Sequence, residues 1–351
     1  MTFTVVVPVY NAEKFLRECL ESIASMRIPQ GADLEVLLIE NGSRDKSPEI
    51  CKLYSQKYEF IKTFHHGSIG AYYARREGMK EASGDYIFFA DADDKMDAGA
   101  LEVVCGFLNR NAAKLPDIIL HNAAGMKTPD QRMLDFGAAF EPGKIYGEQE
   151  KEPFYEVMCR NDSLNALWNK VISSRLAKRI VENERCEMTK LNHGEDLLQT
   201  AELLDEAKSI VYLDEITYYY RDNAEGLTGS FHREFLNNQV DAWNAFDKYA
   251  QRWTNGRFEG LIAERKALTC AIAVRSLVYS MLGTKKKKAE LERIMESPFY
   301  GQYGTKALPE WAPEGDAYIH GLMTGEQPLE RLIAVGRNYR IKAMVKKILG
   351  R

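Results

Sequence analysis

Apolar and polar positions follow two different periods along the first 110 residues of the chain. Short apolar runs rich in β-branched residues predict strands, and apolar residues three and four positions apart predict helices between them. The predicted strands are 3–9, 34–39, 61–64 and 86–90, and the predicted helices are 13–26, 47–58, 71–82 and 100–108. Ser47-Pro48 predicts an N-cap serine followed by proline at the first helical position. Strands that alternate with single helices imply parallel pairing through right-handed crossovers. The sequence therefore predicts an open α/β sheet in this part.

The pattern changes after residue 110. Residues 111–231 mix both periods, and residues 232–351 are mostly helical. Predicted elements of the mixed part are a strand at 118–120, a loop or hairpin at 125–150, a helix at 196–204 and strands at 210–213 and 216–220. The helical part contains a long apolar helix at 262–282, and it ends in a basic amphipathic helix at 332–349. We therefore expect a helical C-terminal region that follows the sheet.

Polar side chains follow several predicted strands directly. The first strand ends in Val7-Pro-Val-Tyr-Asn11, the second in Glu40-Asn-Gly-Ser43 and the fourth in Asp91-Ala-Asp-Asp94. The carboxyl ends of parallel strands are where α/β sheets bind ligands. An Asp-x-Asp pair there can share a hard divalent cation with the phosphates of a substrate. Each segment alone is more typical of an ordinary turn after a strand.

Glycines precede the third predicted helix in Gly67-Ser-Ile-Gly70, and that helix carries Arg75 and Arg76. Such glycines allow a phosphate to approach the backbone at a helix N-terminus. No Gly-Lys-Ser/Thr follows, so this is not a Walker loop, and the spacing does not fit a dinucleotide fingerprint.

Composition and charge narrow the class of protein. The 351 residues are 45% hydrophobic and 28% charged, with a net charge of −4 and a pI of about 6.0. These values are ordinary for a globular protein and predict no nucleic-acid partner. Six scattered cysteines and the lack of a membrane-spanning run or signal-peptide pattern favour a protein of the reducing cytoplasm.

In combination, the motifs resemble family 2 glycosyltransferases, especially bacterial members that build capsule, exopolysaccharide or lipopolysaccharide. The strand-end segments have the family's order and spacing over residues 1–110. The resemblance continues in Leu167-Trp-Asn-Lys170, in Gly194-Glu-Asp-Leu-Leu198 and in the segment 210–221. It covers about residues 1–231.

Together with the helical pattern after residue 231, the resemblance implies an α/β GT-A (Rossmann-like) nucleotide-diphospho-sugar transferase fold with a C-terminal helical extension. Residues 1–110 would form the nucleotide-sugar-binding half and residues 111–231 the acceptor-binding half. The helical pattern, rather than the resemblance, predicts a mostly helical C-terminal region at 232–351, with a candidate membrane- or partner-docking helix at 332–351. The implied activity is inverting, metal-dependent transfer of a hexosyl or N-acetylhexosaminyl group. The acceptor would be a hydroxyl of a glycan or a lipid-linked molecule in surface polysaccharide synthesis.

The resemblance also assigns site residues. Asp196 matches the catalytic base, and Asp93, together with Asp91, would hold Mn²⁺ or Mg²⁺. The donor-binding positions are Pro8, Tyr10, Glu40, Asn41, Arg75, Asp91 and Ala92. The acceptor-side candidates are Trp168, Lys170, His193 and Glu195. Asp94 is expected to be a structural turn residue.

Two departures from the family pattern bear on the donor. Glu40 and Asn41 stand where the family usually has two aspartates, one of which reads uracil. An amide both donates and accepts hydrogen bonds, unlike a carboxylate. The resemblance favours a UDP-sugar, but this departure leaves the identity of the base open. Arg76 stands where an asparagine is usual.

Two alternative functions remain. A sugar-phosphate nucleotidyltransferase shares the α/β nucleotide fold, but the segment after the first strand lacks its glycine-rich loop. A non-catalytic nucleotide-sugar-binding module has no chemical reason to keep both Asp93 and Asp196. The sequence leaves two interpretations of the C-terminal basic helix. The helix could dock on an anionic membrane surface, which would place the protein at the inner face of the membrane, or it could pack on the protein body.

Overall fold

The computed structural model describes residues 1–134, 136, 138–183, 191, 193–222 and 231–348. Its contacts divide the chain into two units. The first unit comprises Met1–Met158 and Asp162–Asp222, and the second comprises the described residues within Cys159–Asn161 and Asn223–Arg351.

A ten-stranded sheet forms the centre of the first unit. Its strands are β1 Thr2–Val9, β2 Asp33–Asn41, β3 Ile61–His66, β4 Tyr86–Phe89, β5 Lys95–Met96, β6 Ile118–Gly125, β7 Thr128–Arg132, β8 Ile145–Gly147, β9 Lys170–Ser173 and β10 Ser209–Tyr220. Its helices are α1 Leu16–Ala24, α2 Ser47–Lys57, α3 Ala71–Glu81, α4 Ala100–Arg110, α5 Glu152–Arg160, α6 Ser174–Glu182 and α7 Glu195–Glu206, with a 3₁₀ turn at Glu148–Glu150.

The order of strands across the sheet is β3-β2-β1-β4-β9-β6-β10-β5. The first four are parallel, as predicted, and β9 runs antiparallel between β4 and β6. The valines of β1 are fully buried, which is typical of a parallel strand covered on both faces. Parallel pairing places the ends of β1, β2 and β4 at one edge of the sheet.

Pro8 lies at the carboxyl end of β1, as its missing N–H requires. The strand pairs with β4 only as far as Val6, whereas its pairing with β2 continues to Val9. Pro8 therefore sits where one side of β1 has no neighbouring strand.

Three predictions about local structure need correction or refinement. Ser47 is not an N-cap: it lies inside α2, where its hydroxyl accepts from Ala12 N and its own N–H donates to Asp45. The two strands predicted at 210–213 and 216–220 are a single strand, β10, with register shifts on either side of Ile216. The segment 125–150 contains a hairpin, because β7 pairs antiparallel with β6.

The second unit is helical. Its helices are α8 Phe235–Thr254, α9 Glu259–Val278, α10 Thr284–Met295, α11 Pro298–Tyr303, α12 Glu314–Met323 and α13 Pro328–Ile348. The long apolar helix of the prediction is α9, and it packs against the five others. Among the described residues, no helix is long and apolar enough to cross a membrane. The predicted helical extension is confirmed.

Cysteine chemistry follows the prediction for the described residues. Five thiols are buried and free, namely Cys19, Cys51, Cys105, Cys159 and Cys270. Cys186 lies outside the described residues.

Arg76, one of the departures from the family pattern, joins three helices of the first unit. From α3 its guanidinium donates to both oxygens of Glu202 on α7, at 3.3 and 3.4 Å. It also donates to the carbonyl oxygen of Ile180 on α6, at 2.7 Å. Glu202 is only 2% exposed, so Arg76 neutralises a buried carboxylate. Its contacts are therefore structural.

We expect Arg76→Met to lower the free energy of unfolding by about 3 kcal/mol, because it strands the buried Glu202 carboxylate. Denaturant unfolding measures this change. Lys80→Met, on the exposed face of the same helix, is the matched control and should change the free energy by less than about 0.5 kcal/mol. Equal effects of the two substitutions would contradict a structural role for Arg76.

Candidate functional site

The loops after β1 and β2 are tied to each other at the edge of the sheet. Asn11 N donates to the Ser43 hydroxyl at 3.0 Å, and the Asn11 side-chain oxygen accepts from Arg44 N at 2.8 Å. Asn11 has a φ of 49°, a left-handed conformation that asparagine tolerates. Tyr10 stays 47% exposed beside this joint. The joint leaves a flat aromatic side chain open to solvent at the predicted donor side.

Glu40 and Asn41 point into the protein rather than into open solvent. Glu40 accepts from Ser43 N at 2.6 Å and contacts the His65 ring nitrogen at 3.4 Å. Burial raises the pKa of the Glu40 carboxyl, but the hydrogen bonds from Ser43 and His65 outweigh it and leave the pKa below its ordinary value. Glu40 is therefore ionised at neutral pH.

Asn41 anchors the glycine-containing loop that precedes α3. Its side-chain oxygen accepts from Ile69 N at 2.7 Å. The neighbouring Gly42 has a φ of 75°, and a Cβ there would lie 2.8 Å from Ser68 N. Only glycine fits this crossing of two loops. The amide of Asn41 is thus partly committed to holding the loop.

Arg75 is at the centre of the site. Its guanidinium donates to Asp91 at 3.1 Å, to Asp196 at 2.6 Å and to the Gln199 side-chain oxygen at 3.1 Å. Arg75 is 5% exposed, and its Nε is buried without a hydrogen-bond partner among the described residues. One buried cation therefore joins the end of β4 to the start of α7.

The turn after β4 is held from the end of β10. The Tyr218 hydroxyl donates to Asp94 at 2.8 Å and accepts from Asp91 N at 3.0 Å. Asp94 also accepts from Arg221 N at 2.6 Å. Burial and the nearby Asp91 raise the pKa of Asp94 to about 8. Asp94 thus holds the turn and is itself 2% exposed.

Trp168 supports this turn from the loop before β9, and Lys170, the first residue of β9, holds that loop. The Trp168 ring stacks on Tyr218, with centroids 4.9 Å apart and planes 3° from parallel. The Lys170 ammonium donates to the carbonyl oxygens of Leu164 and Ala166, and to the Asn169 side chain. Lys170 is fully buried, and burial lowers its pKa to about 7. Its charge therefore faces the loop rather than the solvent.

The helix α7 presents two carboxylates in its first turn. Gly194 precedes it with a φ of 89°, and Glu195 and Asp196 follow. Carboxylates in a first turn are stabilised by the helix dipole. Burial and the neighbouring Asp196 nevertheless raise the pKa of Glu195 to about 7. The half-buried His193 and Glu195 thus flank Asp196 on the predicted acceptor side.

Asp91 and Asp196 bind Arg75, and the Asp93 carboxylate lies near that of Asp91. Burial raises the pKa of Asp91; Arg75 opposes this shift, but Asp196 and Asp93 add to it, and the pKa stays above its ordinary value. Among the described residues, no group of three or more His, Cys, Asp or Glu side chains could hold a metal ion alone. The arrangement fits a cation that takes one or two carboxylates and completes its shell with phosphate oxygens.

The structure brings most of the predicted site residues to one region. Pro8, Tyr10, Glu40 and Asn41 lie at the ends of β1 and β2, and the buried Ala92 lies in the turn after β4. The prediction did not single out Tyr218, Arg221 or Gln199. Tyr218 and Arg221 belong to the motif segment 210–221, and Gln199 lies one helical turn after Asp196. Membership of that motif could have identified Tyr218 and Arg221, and helical spacing from Asp196 could have identified Gln199.

Comparisons with known proteins bear on the family and the fold. Residues 4–176 match the family model described as Glycosyl transferase family 2. Glycosyltransferase GlyA of Streptococcus pneumoniae is 28% identical over 252 residues, which are 68% of this chain and 33% of GlyA. TarS of Staphylococcus aureus, a poly(ribitol-phosphate) β-N-acetylglucosaminyltransferase, is 26% identical over 229 residues, 64% of this chain and 36% of TarS. The match thus spans about a third of the length of either relative.

A crystal structure of S. aureus TarS residues 1–349 in complex with UDP-GlcNAc superposes with a TM-score of 0.53. The superposition covers 97% of this chain and 92% of that one, at 18% identity. At this identity the likeness establishes the fold. The mixed α/β sheet is the GT-A fold that the sequence predicts.

We expect Glu195→Gln to raise the Tm at pH 8 by about 2 °C or more and to change it little at pH 4.5. The folded-state pKa of about 7 lies above the unfolded value of 4.5. The stability from the protonated form is therefore complete below pH 4.5 and is lost as the pH rises through 7. Thermal unfolding at both pH values measures the effect, with the exposed Glu182→Gln as control. A Tm gain that does not depend on pH would contradict the raised pKa.

Proposed function

Because residues 4–176 belong to glycosyl transferase family 2, we propose that this chain moves a sugar from a nucleotide-diphosphate donor to an acceptor hydroxyl. The acceptor class is a glycan or a lipid-linked molecule of surface polysaccharide synthesis. We propose inversion at the anomeric carbon, and transfer of a hexosyl or N-acetylhexosaminyl group.

The observation that carries the proposal is the position of Arg75 between two carboxylates. Asp91 lies in the turn after β4 on the proposed donor side, and Asp196 lies in the first turn of α7, where the acceptor is expected. Their oxygens bind the same guanidinium, at 3.1 and 2.6 Å. A leaving group and a general base that act on opposite sides of one sugar carbon need such close, fixed placement.

On the donor side we propose a UDP-sugar. Tyr10 offers an exposed ring against which a base can stack, and Glu40 is an ionised acceptor for an N–H of uracil. The relative TarS has been crystallised with UDP-GlcNAc, which supports a uridine nucleotide by analogy. Asn41 holds the loop that precedes α3, and we propose that this loop lies near the donor phosphates.

We propose that Asp93 and Asp91 hold Mn²⁺ or Mg²⁺ together with the donor diphosphate. Such a cation supplies charge neutralisation to the diphosphate as it leaves. Arg75 adds a second positive charge, and its Nε donor has no acceptor among the described residues. We propose that a phosphate oxygen serves as that acceptor.

In the transfer step, the acceptor oxygen forms a bond to the anomeric carbon while the bond from that carbon to the donor phosphate breaks. The electron pair of the broken bond stays on the diphosphate. The proton of the acceptor hydroxyl passes to Asp196, whose side chain is 37% exposed and so open to an acceptor. A single displacement inverts the carbon, and it requires no covalent intermediate.

The acceptor-side residues divide into two roles in this proposal. Glu195 and His193 lie beside Asp196 and would contact the acceptor. Trp168 and Lys170 would position other residues without contacting the acceptor. Trp168 stacks on Tyr218, and the Lys170 ammonium faces its own loop. A lipid-linked acceptor would place the reaction at the inner face of the membrane, with the protein in the cytoplasm.

Asp196→Asn should lower the transfer rate by at least about 100-fold, since an amide cannot take the acceptor proton. Donor binding should persist, because the amide oxygen can still accept from Arg75. Product formation from UDP-sugars and the Kd of UDP are the two measurements. Asp205→Asn, at the other end of α7, is the matched control. A near-wild-type rate would remove Asp196 as the base.

Asp93→Ala should abolish the Mn²⁺-dependent part of UDP binding, because a cation ligand is lost. A thermal-shift titration with UDP, with and without Mn²⁺, measures this part, since a bound ligand raises the Tm by mass action. Asp85→Ala removes a carboxylate next to the opposite end of β4 and should leave the Mn²⁺ effect intact. Unchanged binding by the Asp93 variant would exclude this metal assignment.

A further inference from the structure

The C-terminal helix α13 has one packed face and one open face. Leu332 and Gly336 are buried where the helix meets α10 and α12. A Cβ at Gly336 would lie 2.9 Å from Lys287 and from the Val278 carbonyl oxygen, so glycine allows this close approach. Ala343 continues the same stripe and is half-buried. This face attaches the helix to the second unit.

Three large apolar side chains lie on the open face. Ile341, Met344 and Val345 are 53%, 47% and 47% exposed. At 3.6 residues per turn, Ile341 and Val345 lie about 160° around the helix from the packed stripe, and Met344 lies about 100° from it. They are three of the eleven exposed large apolar residues in the described part of the chain, and they fall within five positions. Such clustering marks an interaction surface rather than scattered exposure.

Cations flank this apolar face. On a helical projection, Arg340 lies to one side of it and Lys342 to the other, while Arg337 lies at the angle of the face itself, about one turn nearer the helix N-terminus. Residues 331–345 contain four Arg or Lys and no Asp or Glu, in a chain whose net charge is −4. An apolar face between cationic flanks complements a surface that is anionic outside and apolar beneath.

We propose that residues 337–345 of α13 lie in the interface of an anionic lipid bilayer. Ile341, Met344 and Val345 insert among the acyl chains, and the flanking cations contact the lipid phosphates. The surface goes beyond the transferase site, because it involves none of the residues of that site. In this proposal one face of the C-terminal basic helix packs on the second unit and the other face docks on the membrane.

A second copy of this chain fits the face less well. In a two-fold symmetric contact the same patch meets itself. That would bring the arginines and the lysine of one copy against those of the other, which disfavours the contact. An anionic bilayer instead offers opposite charge at every flank.

Flotation of the full chain with lipid vesicles tests the proposal. The wild type should float with phosphatidylcholine vesicles that contain about one-third phosphatidylglycerol, and should float much less with phosphatidylcholine alone. High salt should weaken the binding, because it screens the cations.

Two double variants separate the apolar and the charged contributions. Ile341→Glu with Met344→Glu should lower the vesicle partition coefficient by at least about tenfold. Arg337→Gln with Lys342→Gln should lower it roughly 30-fold at low salt and much less at high salt. Leu53→Glu, at an equally exposed apolar position of α2 in the first unit, should leave it unchanged. Circular dichroism confirms that each variant is folded.

Several results would overturn the proposal. These are no flotation of the folded wild type with anionic vesicles, equal flotation of the Glu variant, or an equal loss with Leu53→Glu. A dimer of the wild type that the Glu variant dissociates, without any vesicle binding, would assign the face to a second copy. These measurements do not involve donor binding or sugar transfer. The membrane proposal and the proposed transferase function can therefore each fail without the other.

Discussion

The site depends on one buried cation shared by two carboxylates. The Arg75 guanidinium on α3 binds Asp91, 16 residues away along the chain, and Asp196, 121 residues away. A buried charge is costly unless it is paired and hydrogen-bonded, and here Gln199 adds a further acceptor. Because α3, β4 and α7 all contribute, the donor-side turn and the candidate base keep one relative position.

A layer of side chains behind this ion pair holds the carboxylate turn in place. Trp168 stacks on Tyr218, and the Tyr218 hydroxyl holds both Asp94 and the backbone of Asp91. Lys170 in turn orders the loop that carries Trp168. Side chains that touch no substrate thus preorganise those that would, and the accuracy of a catalytic site requires such support.

The departures from the family pattern acquire physical roles in the structure. Arg76 neutralises the buried Glu202 and ties α3 to α6 and α7. Asn41 commits its side-chain oxygen to the loop before α3, while Glu40 remains an ionised acceptor beside His65. The first departure is therefore a matter of packing, and the other two shape the sheet edge where we propose that the donor binds.

Much of the fold followed from the sequence alone, because strand and helix periods are local consequences of backbone geometry. The parallel strands, the polar strand ends and the helical extension were all predictable from spacing and burial patterns. The predicted N-cap at Ser47 does not form, because the hydroxyl of that serine accepts from Ala12 N and its N–H donates to Asp45. The continuity of β10 was not predictable either, because its register shifts depend on its neighbour β6.

The candidate site divides in the same way. Sequence by itself determined which residue types lie at the strand ends and at the start of α7, and their order matched a known family. Only the tertiary structure decided that Arg75 joins Asp91 to Asp196, that Lys170 faces inward and that the apolar face of α13 stays open. Ion pairs between distant residues and the choice of a buried face depend on which surfaces meet when the chain packs, and no local period carries that information.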